Sequence, residues 1–291
     1  MRIPPAALLL LGAAGCAAAP PPPPTPHPPA AVEVRAVEAL LSPLVDGVAS
    51  DGAWAAAPEA IVPLLGVSGP SSCRVKAAVH RGTLFLLVRW EDATEDREHK
   101  PWVRDGDGAW RTGPEREDAL AVAFPLEGEF TANMKSPVEA LWDVWQWKAA
   151  RTDPAGHAMD KVHRMTFADP GGKRHEERLA DGRTLWIGRP EDEGLSATEE
   201  FPAPASGTRA PRYRARRPEG SAASVAARGA WSAGSWTVEL ARALSTGRPD
   251  DRDLSEAAPV PFALAVLDRA EDEAHASSEV LLLRFPEKGR P

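Results

Sequence analysis

The sequence predicts an all-β fold, an antiparallel β-sandwich with a few short helices and one long polar loop excursion. Three observations support this prediction. Short apolar runs of strand length recur along the chain, turn residues separate several of them, and long helical patterns are few. Many short strands joined by turns are typical of sandwiches. The 291 residues are 43% hydrophobic, which is enough for one large domain. We place that domain at residues 33–291.

The first half of the domain contains three local signals. Two Asp-Gly pairs predict turns that lead to a buried Trp54 in the run "LVDGVASDGAWAAAPEA". Two apolar runs flank Arg81-Gly82 in "RVKAAVHRGTLFLLVRWED", a pattern that predicts a β-hairpin. A further strand is predicted for "EDALAVAFPL", residues 117–126.

Tryptophan is concentrated in one stretch, "MKSPVEALWDVWQWKAAR", which begins at residue 134. An extended chain would place Trp145, Trp147 and Ala149 on one face, whereas a helix would align Leu141, Trp142 and Trp145. Aromatic enrichment favours the strand.

Residues 168–228 differ in composition from the rest of the domain. They are rich in Gly, Pro, Arg and Glu and contain one short apolar run, "TLWIG". We therefore expect a long, partly ordered surface excursion, either a solvated loop or a docking surface. After it, "GAWSAGSWTVELARAL" predicts a second hairpin, and "PFALAVLDRA" and "EVLLLRF" predict closing strands.

The N-terminus resembles a bacterial lipoprotein signal. Arg2 precedes a short apolar segment at residues 6–14, which ends in "LGAAGC". We expect residues 1–15 to be the signal peptide and Cys16 to be the lipidated first residue of the mature chain; a plain secretory signal is the alternative. Residues 16–32 contain "APPPPPTPHPPA", a stiff tether. The chain is thus expected to be exported and lipid-anchored to a membrane, in the periplasm or on the outer cell surface.

Composition excludes several classes of function. The net charge of −8 argues against nucleic-acid binding, which needs a basic face. With Cys16 lipidated, Cys73 is expected to be an unpaired, buried packing residue. The sequence has no CxxCH, CxxC or HExxH pattern, so it predicts no covalent haem, no zinc site and no catalytic constellation. His157 and His163 are six residues apart, a spacing that does not favour a chelate.

The order of these motifs resembles the haem-binding domain of the ethylbenzene dehydrogenase and dimethylsulfide dehydrogenase γ-subunits, within the cytochrome c-552/DMSO reductase-like haem-binding family. The resemblance is carried by "HRGTLFLLVRWED", "EDALAVAFPL", "MKSPVEALWDVWQWKAARTDPAG", "GSWTVELARAL" and "PFALAVLDRAEDEAHASS". It implies a β-sandwich that holds one non-covalent haem b. Met134 takes the position of the family's axial methionine. The family's second ligand is a lysine, but the loop "RAEDEAHASS" has none, and His275 is its nearest nitrogen donor.

The resemblance implies a cytochrome that exchanges electrons with a molybdenum and iron–sulfur oxidoreductase or a soluble cytochrome c. A thioether and an imidazole on one iron would leave no open position, which suits electron transfer. Trp145 and Trp147 are expected to form one wall of the haem pocket. Two alternatives stay open: a binding module resembling carbohydrate-binding modules, and a structural subunit without haem.

Overall fold

A computed structural model of the chain describes residues 31–256, 258–270 and 274–286. The predicted signal peptide, Cys16 and nearly all of the Pro-rich tether lie outside these residues. Within the described ranges, no helix is both long enough and apolar enough to cross a membrane.

The described chain is nearly all β, with 46% of residues in strands and 4% in helices, which confirms the predicted fold class. In chain order its first elements are β1 (Glu33–Glu38), α1 (Gly52–Ala56), β2 (Ala60–Pro63), β3 (Leu65–Gly66), β4 (Ser72–His80), β5 (Thr83–Glu91), β6 (Trp102–Arg104), β7 (Trp110–Thr112), β8 (Ala119–Gly128), β9 (Ala140–Lys148), the 3-10 turn η1 (Asp153–Ala155) and β10 (Met159–Thr166).

The remaining elements are β11 (Arg174–Arg178), β12 (Thr184–Gly188), β13 (Gly194–Leu195), β14 (Thr198–Glu200), β15 (Arg209–Ala210), β16 (Tyr213–Ala215), β17 (Glu219–Gly220), the 3-10 turn η2 (Ser221–Ala223), β18 (Ala226–Ser232), β19 (Ser235–Ala243), β20 (Val260–Leu267), β21 (Ala276–Ser277) and β22 (Leu281–Arg284).

The main strands form one hydrogen-bonded path whose two halves face each other. Its order is β11-β12-β10-β9-β8-β20-β22-β1-β4-β5-β19-β18. At the centre, β1 runs parallel to both β22 and β4 and so joins the halves. Trp147 from one half meets Trp236 from the other at a ring separation of 5.0 Å, and Trp90 stacks on Trp236. We call this interior the tryptophan core.

Both predicted hairpins are present. Arg81 and Gly82, which connect β4 and β5, have φ of 46° and 78°, and Ala233 and Gly234, which connect β18 and β19, have φ of 49° and 78°. Positive φ at both central residues matches the twist of the flanking strands. Trp54 is buried as predicted, and its Nε1 donates to Glu239 Oε1 at 2.6 Å.

The Trp-rich stretch forms a strand, β9, rather than a helix. Because side chains alternate along a strand, β9 has two different faces. Trp145 and Trp147 enter the tryptophan core, while Trp142 packs on the opposite face. Trp147 lies against β18, where a Cβ added to Gly229 would approach its Cζ2 to 2.3 Å. A glycine is therefore needed at this crossing.

The structure differs from the loop expected at residues 168–228. The "TLWIG" run is β12, which pairs with β10 and extends the sheet, and Leu185 and Ile187 are buried there. β11 pairs with β12 at the edge of the same sheet, and the short ladders β13–β17, β14–β16 and β15–β6 are mostly exposed. Backbone pairing thus orders a chain whose composition is that of a loop.

Candidate functional site

A cavity of about 360 Å³ lies on the face of β8, β9, β10, β12 and β20 that points away from the tryptophan core. Four alanines form part of its wall: Ala121 and Ala123 on β8 lie opposite Ala265 and Ala263 on β20. Since alanine projects only a methyl group, this cross-strand patch leaves room above the sheet. Most of the other wall side chains near the sheet are apolar, so the floor of the cavity is weakly solvating.

The structure brings Met134 and His275, the two predicted axial ligands, to the wall of this one cavity. Met134 lies in the connection between β8 and β9, and His275 immediately precedes β21. The two residues are distant in sequence, and it is the pairing of β8 with both β9 and β20 that draws their loops together.

His275 is held by its backbone neighbours. Ala276, the first residue of β21, pairs with Gly66 of β3, and Ser68 Oγ donates to the Ala274 carbonyl at 2.7 Å. A Cβ added to Gly66 would lie 2.1 Å from the His275 carbonyl oxygen. The absence of a side chain at Gly66 therefore allows β3 to fix the backbone that carries the imidazole.

Met134 is held by its loop and by a histidine of β10. Asn133 Oδ1 accepts from the Lys135 backbone N–H at 3.0 Å, which tightens the turn around Met134. The Met134 Sδ lies 3.1 Å from His163 Nδ1. Burial lowers the pKa of His163 well below its usual range, so the imidazole is neutral, with one donor and one acceptor nitrogen. The Nδ1–H tautomer would donate to the thioether and orient it.

Charged side chains at the cavity wall are Lys135 and Arg189. Lys135 Nζ also pairs with Glu177 at 3.0 Å. Guanidinium and ammonium groups at the edge of an apolar slot suit the carboxylates of a bound molecule. The cavity therefore combines an apolar floor with cationic groups.

Trp145 and Trp147 do not reach the cavity, contrary to the expectation that they form its wall. Both are fully buried in the tryptophan core, and the Trp147 Nε1 donates to Asp153 Oδ1 at 2.8 Å. Trp142 and Val144, on the alternate face of β9, line the cavity instead. Which face of a strand is interior depends on the strands it pairs with, and the sequence of β9 alone does not show those partners.

Sequence reasoning also missed two histidines of the cavity wall, His163 and His175. His163 pairs with Trp142 across β10 and β9, so strand register places it on the cavity face. His157 is elsewhere: it bridges Ala226, and its Nδ1 lies 2.9 Å from the Ala155 carbonyl oxygen. Strand parity does not separate the two histidines; they differ because His163 lies within β10 and His157 precedes it.

The donor set fits an iron porphyrin. One thioether and three imidazoles line a cavity whose volume lies within the ordinary range for cofactor pockets. Methionine sulfur and histidine nitrogen are both established axial ligands of haem iron. The described cavity wall contains no cysteine, so a haem held here would be non-covalent.

The sequence pattern of the family described as "Ethylbenzene dehydrogenase" matches residues 51–278. The matched range includes both Met134 and His275 and most of the described strands. No curated protein shows a significant match to the chain.

Proposed function

Since this chain belongs to the ethylbenzene dehydrogenase family, we propose that it is a b-type haem protein that transfers electrons. The observation that carries the proposal is the position of Met134 and His275 at the wall of one apolar cavity. A haem bound there would supply an iron that gains and loses one electron.

The residues of the cavity have separable roles in this proposal. Met134 Sδ and a ring nitrogen of His275 would hold the haem iron, and an iron held by these two residues would carry electrons rather than bind small molecules. Trp142 and Val144 would cover the porphyrin and exclude water. Lys135 and Arg189 would neutralise its propionates. Methionine ligation would raise the potential relative to ligation by two histidines.

The wider role is proposed from the resemblance to the γ-subunits of periplasmic molybdenum dehydrogenases. The chain would pass electrons between a molybdenum and iron–sulfur oxidoreductase and a soluble cytochrome c, and would itself catalyse no substrate reaction. Export and a lipid anchor at Cys16 would hold it at a membrane, in the periplasm or on the outer cell surface. The Pro-rich tether would keep the haem domain at a distance from that membrane.

The proposal is tested by the visible spectrum of the purified chain, before and after incubation with haem. We expect a Soret band, with sharp α and β bands after reduction. Ala121→Phe is the matched variant: it fills the floor of the cavity without removing a ligand, so it should bind little haem. A wild-type chain that stays colourless after reconstitution would contradict the proposal and favour a binding module or a structural subunit without haem.

A further inference from the structure

A second group of buried side chains lies on the opposite side of β9 from the cavity. Asp143 on β9, Asp160 on β10 and Asp251 after β19 each offer a carboxylate oxygen, and these oxygens lie within 4.8 Å of one another. Asp192 and Asp250 form a second such triad with Asp251. We call these five residues the aspartate cluster.

Several oxygens of the aspartate cluster have no partner among the described residues. Asp160 is 1% exposed, and neither of its carboxylate oxygens accepts a hydrogen bond. The same holds for both oxygens of Asp192, for Asp143 Oδ1 and for Asp251 Oδ2. Buried carboxylates without donors are costly, because burial removes the water that would otherwise solvate them.

The charge of the aspartate cluster is only partly neutralised by Arg242. Its guanidinium donates to Asp143 Oδ2 at 2.5 Å and to Asp251 Oδ1 at 3.1 Å. Burial, followed by the charges of Asp143, Asp192 and Asp251, raises the pKa of Asp160 well above its usual range. Arg242 thus contacts only two of the five carboxyl groups, and Asp160 holds a proton that a bound cation could displace.

We propose that the aspartate cluster binds a calcium ion, with Asp143, Asp160 and Asp251 as its central ligands. All the donors are oxygens, and carboxylate oxygens suit hard cations such as Ca²⁺ better than they suit zinc or copper. Oxygens bound to one Ca²⁺ at about 2.3–2.6 Å lie at most about 5 Å apart, which agrees with the observed spacing. The unpartnered oxygens would become its ligands.

The position of the site predicts a structural role. Asp143 and Asp160 belong to one half of the sandwich, whereas Arg242 and Asp251 belong to β19 and the segment after it in the other half. A cation bound between them would join the two halves. Because the site exists only in the folded chain, the ion would stabilise the folded state and not the unfolded state. The proposal does not depend on haem, because the cavity lies on the other face of β9.

Calcium binding is tested first on the unaltered chain, freed of metal with EGTA. We expect saturating Ca²⁺ to raise Tm by on the order of 5 °C or more. Tb³⁺, a luminescent substitute for Ca²⁺, should be sensitised by Trp145, whose ring lies 4.6 Å from the Arg242 guanidinium carbon. A chain with no Ca²⁺-dependent Tm and no sensitised Tb³⁺ emission would overturn the site, and an equal Tm rise with Mg²⁺ would overturn the choice of calcium.

Two variants locate the ion. Asp160→Asn keeps the shape of the side chain but cannot supply a carboxylate to the ion, so the Ca²⁺-dependent rise in Tm should be lost. Asp153→Asn is the matched control: Asp153 is also buried, but Trp147 Nε1, the Gly229 N–H and Arg97 all donate to it. It should lower Tm yet keep the Ca²⁺ response. A full response in Asp160→Asn would contradict the assignment.

Discussion

At the scale of single residues, the contact between Met134 and His163 is the most specific feature of the cavity. The 3.1 Å approach of Nδ1 to Sδ holds the thioether by a neighbour that is itself fixed in β10. Because His163 is neutral, this contact adds no charge beside the sulfur. It leaves the thioether free to bind a metal through its second lone pair.

Met134→Ala should lower the midpoint potential of the reconstituted chain. A thioether favours reduced iron, so its loss lowers the potential. If the His163 imidazole took the place of the thioether, the potential would still be lower, because an imidazole favours oxidised iron relative to methionine. Potentiometric titration measures the change. His157→Ala is the control, since His157 lies outside the cavity, and it should leave the potential unchanged. Equal potentials for Met134→Ala and the unaltered chain would remove Met134 from the iron.

Single residues were only partly predictable from the sequence. Met134 and His275 could be named because they stand in motifs that resemble a family. His163 and Trp142 could not, since their place at the cavity depends on the register between β9 and β10. Trp145 and Trp147 lie in the tryptophan core rather than at the cavity wall where the sequence places them, because alternation along a strand does not show which of its faces is interior.

At the scale of elements, predictability follows the range of the interaction. The hairpins β4–β5 and β18–β19 were predictable because two turn residues with positive φ fix each of them locally. The strands within residues 168–228 were not, because β12 becomes ordered by pairing with β10 rather than by its own composition. The β3–β21 pair, only two residues long, has no sequence signal at all.

Gly66→Ala should disturb His275 through this short pair. The added Cβ would meet the His275 carbonyl oxygen, so β3 and β21 must separate. We expect a loss of about 1–3 kcal/mol in the free energy of unfolding, as for other overpacked sites, and weaker haem binding. Denaturant unfolding and haem titration measure both effects.

Gly52→Ala is the control for that substitution. A Cβ at Gly52 would meet no atom within 4 Å, and the residue begins helix α1. It should leave haem binding unchanged and should not destabilise the chain. Unaltered haem affinity in Gly66→Ala would show that the backbone of β21 does not position the His275 imidazole.

At the scale of the whole molecule, β9 separates two sites of different chemistry, because one of its faces lines the cavity and the other faces the interior of the sandwich. The cavity face of β9 is apolar and lies beside the neutral imidazole of His163, whereas its interior face contributes Asp143 to the aspartate cluster. The fold class was predictable because it depends on many short strands together. The aspartate cluster was not, because its members come from four separate segments.

The aspartate cluster should make stability depend on pH. Burial raises the pKa of Asp192 to about 8, against about 3.9 in an unfolded chain. The folded state therefore holds this proton more tightly, so its stabilising contribution is complete below about pH 4 and is lost as pH rises to about 8.

Asp192→Asn isolates this effect from groups such as His163, whose lowered pKa acts in the opposite direction. In EGTA, the Tm of the variant minus the Tm of the unaltered chain should increase as pH rises from about 5 to about 8. Thermal unfolding of both proteins across this range measures the difference. A constant difference would show that the Asp192 carboxyl is ionised throughout.

The central claim, that Met134 and His275 hold one haem between them, is tested most directly by spectra of His275 variants reconstituted with haem. His275→Ala should lose the six-coordinate low-spin spectrum, because one axial position loses its nitrogen. His275→Lys should keep haem with a methionine and an amine as ligands, and His157→Ala should match the unaltered chain. A His275→Ala spectrum identical to that of the unaltered chain would contradict the account and move the ligand to His163 or His175, which line the same cavity.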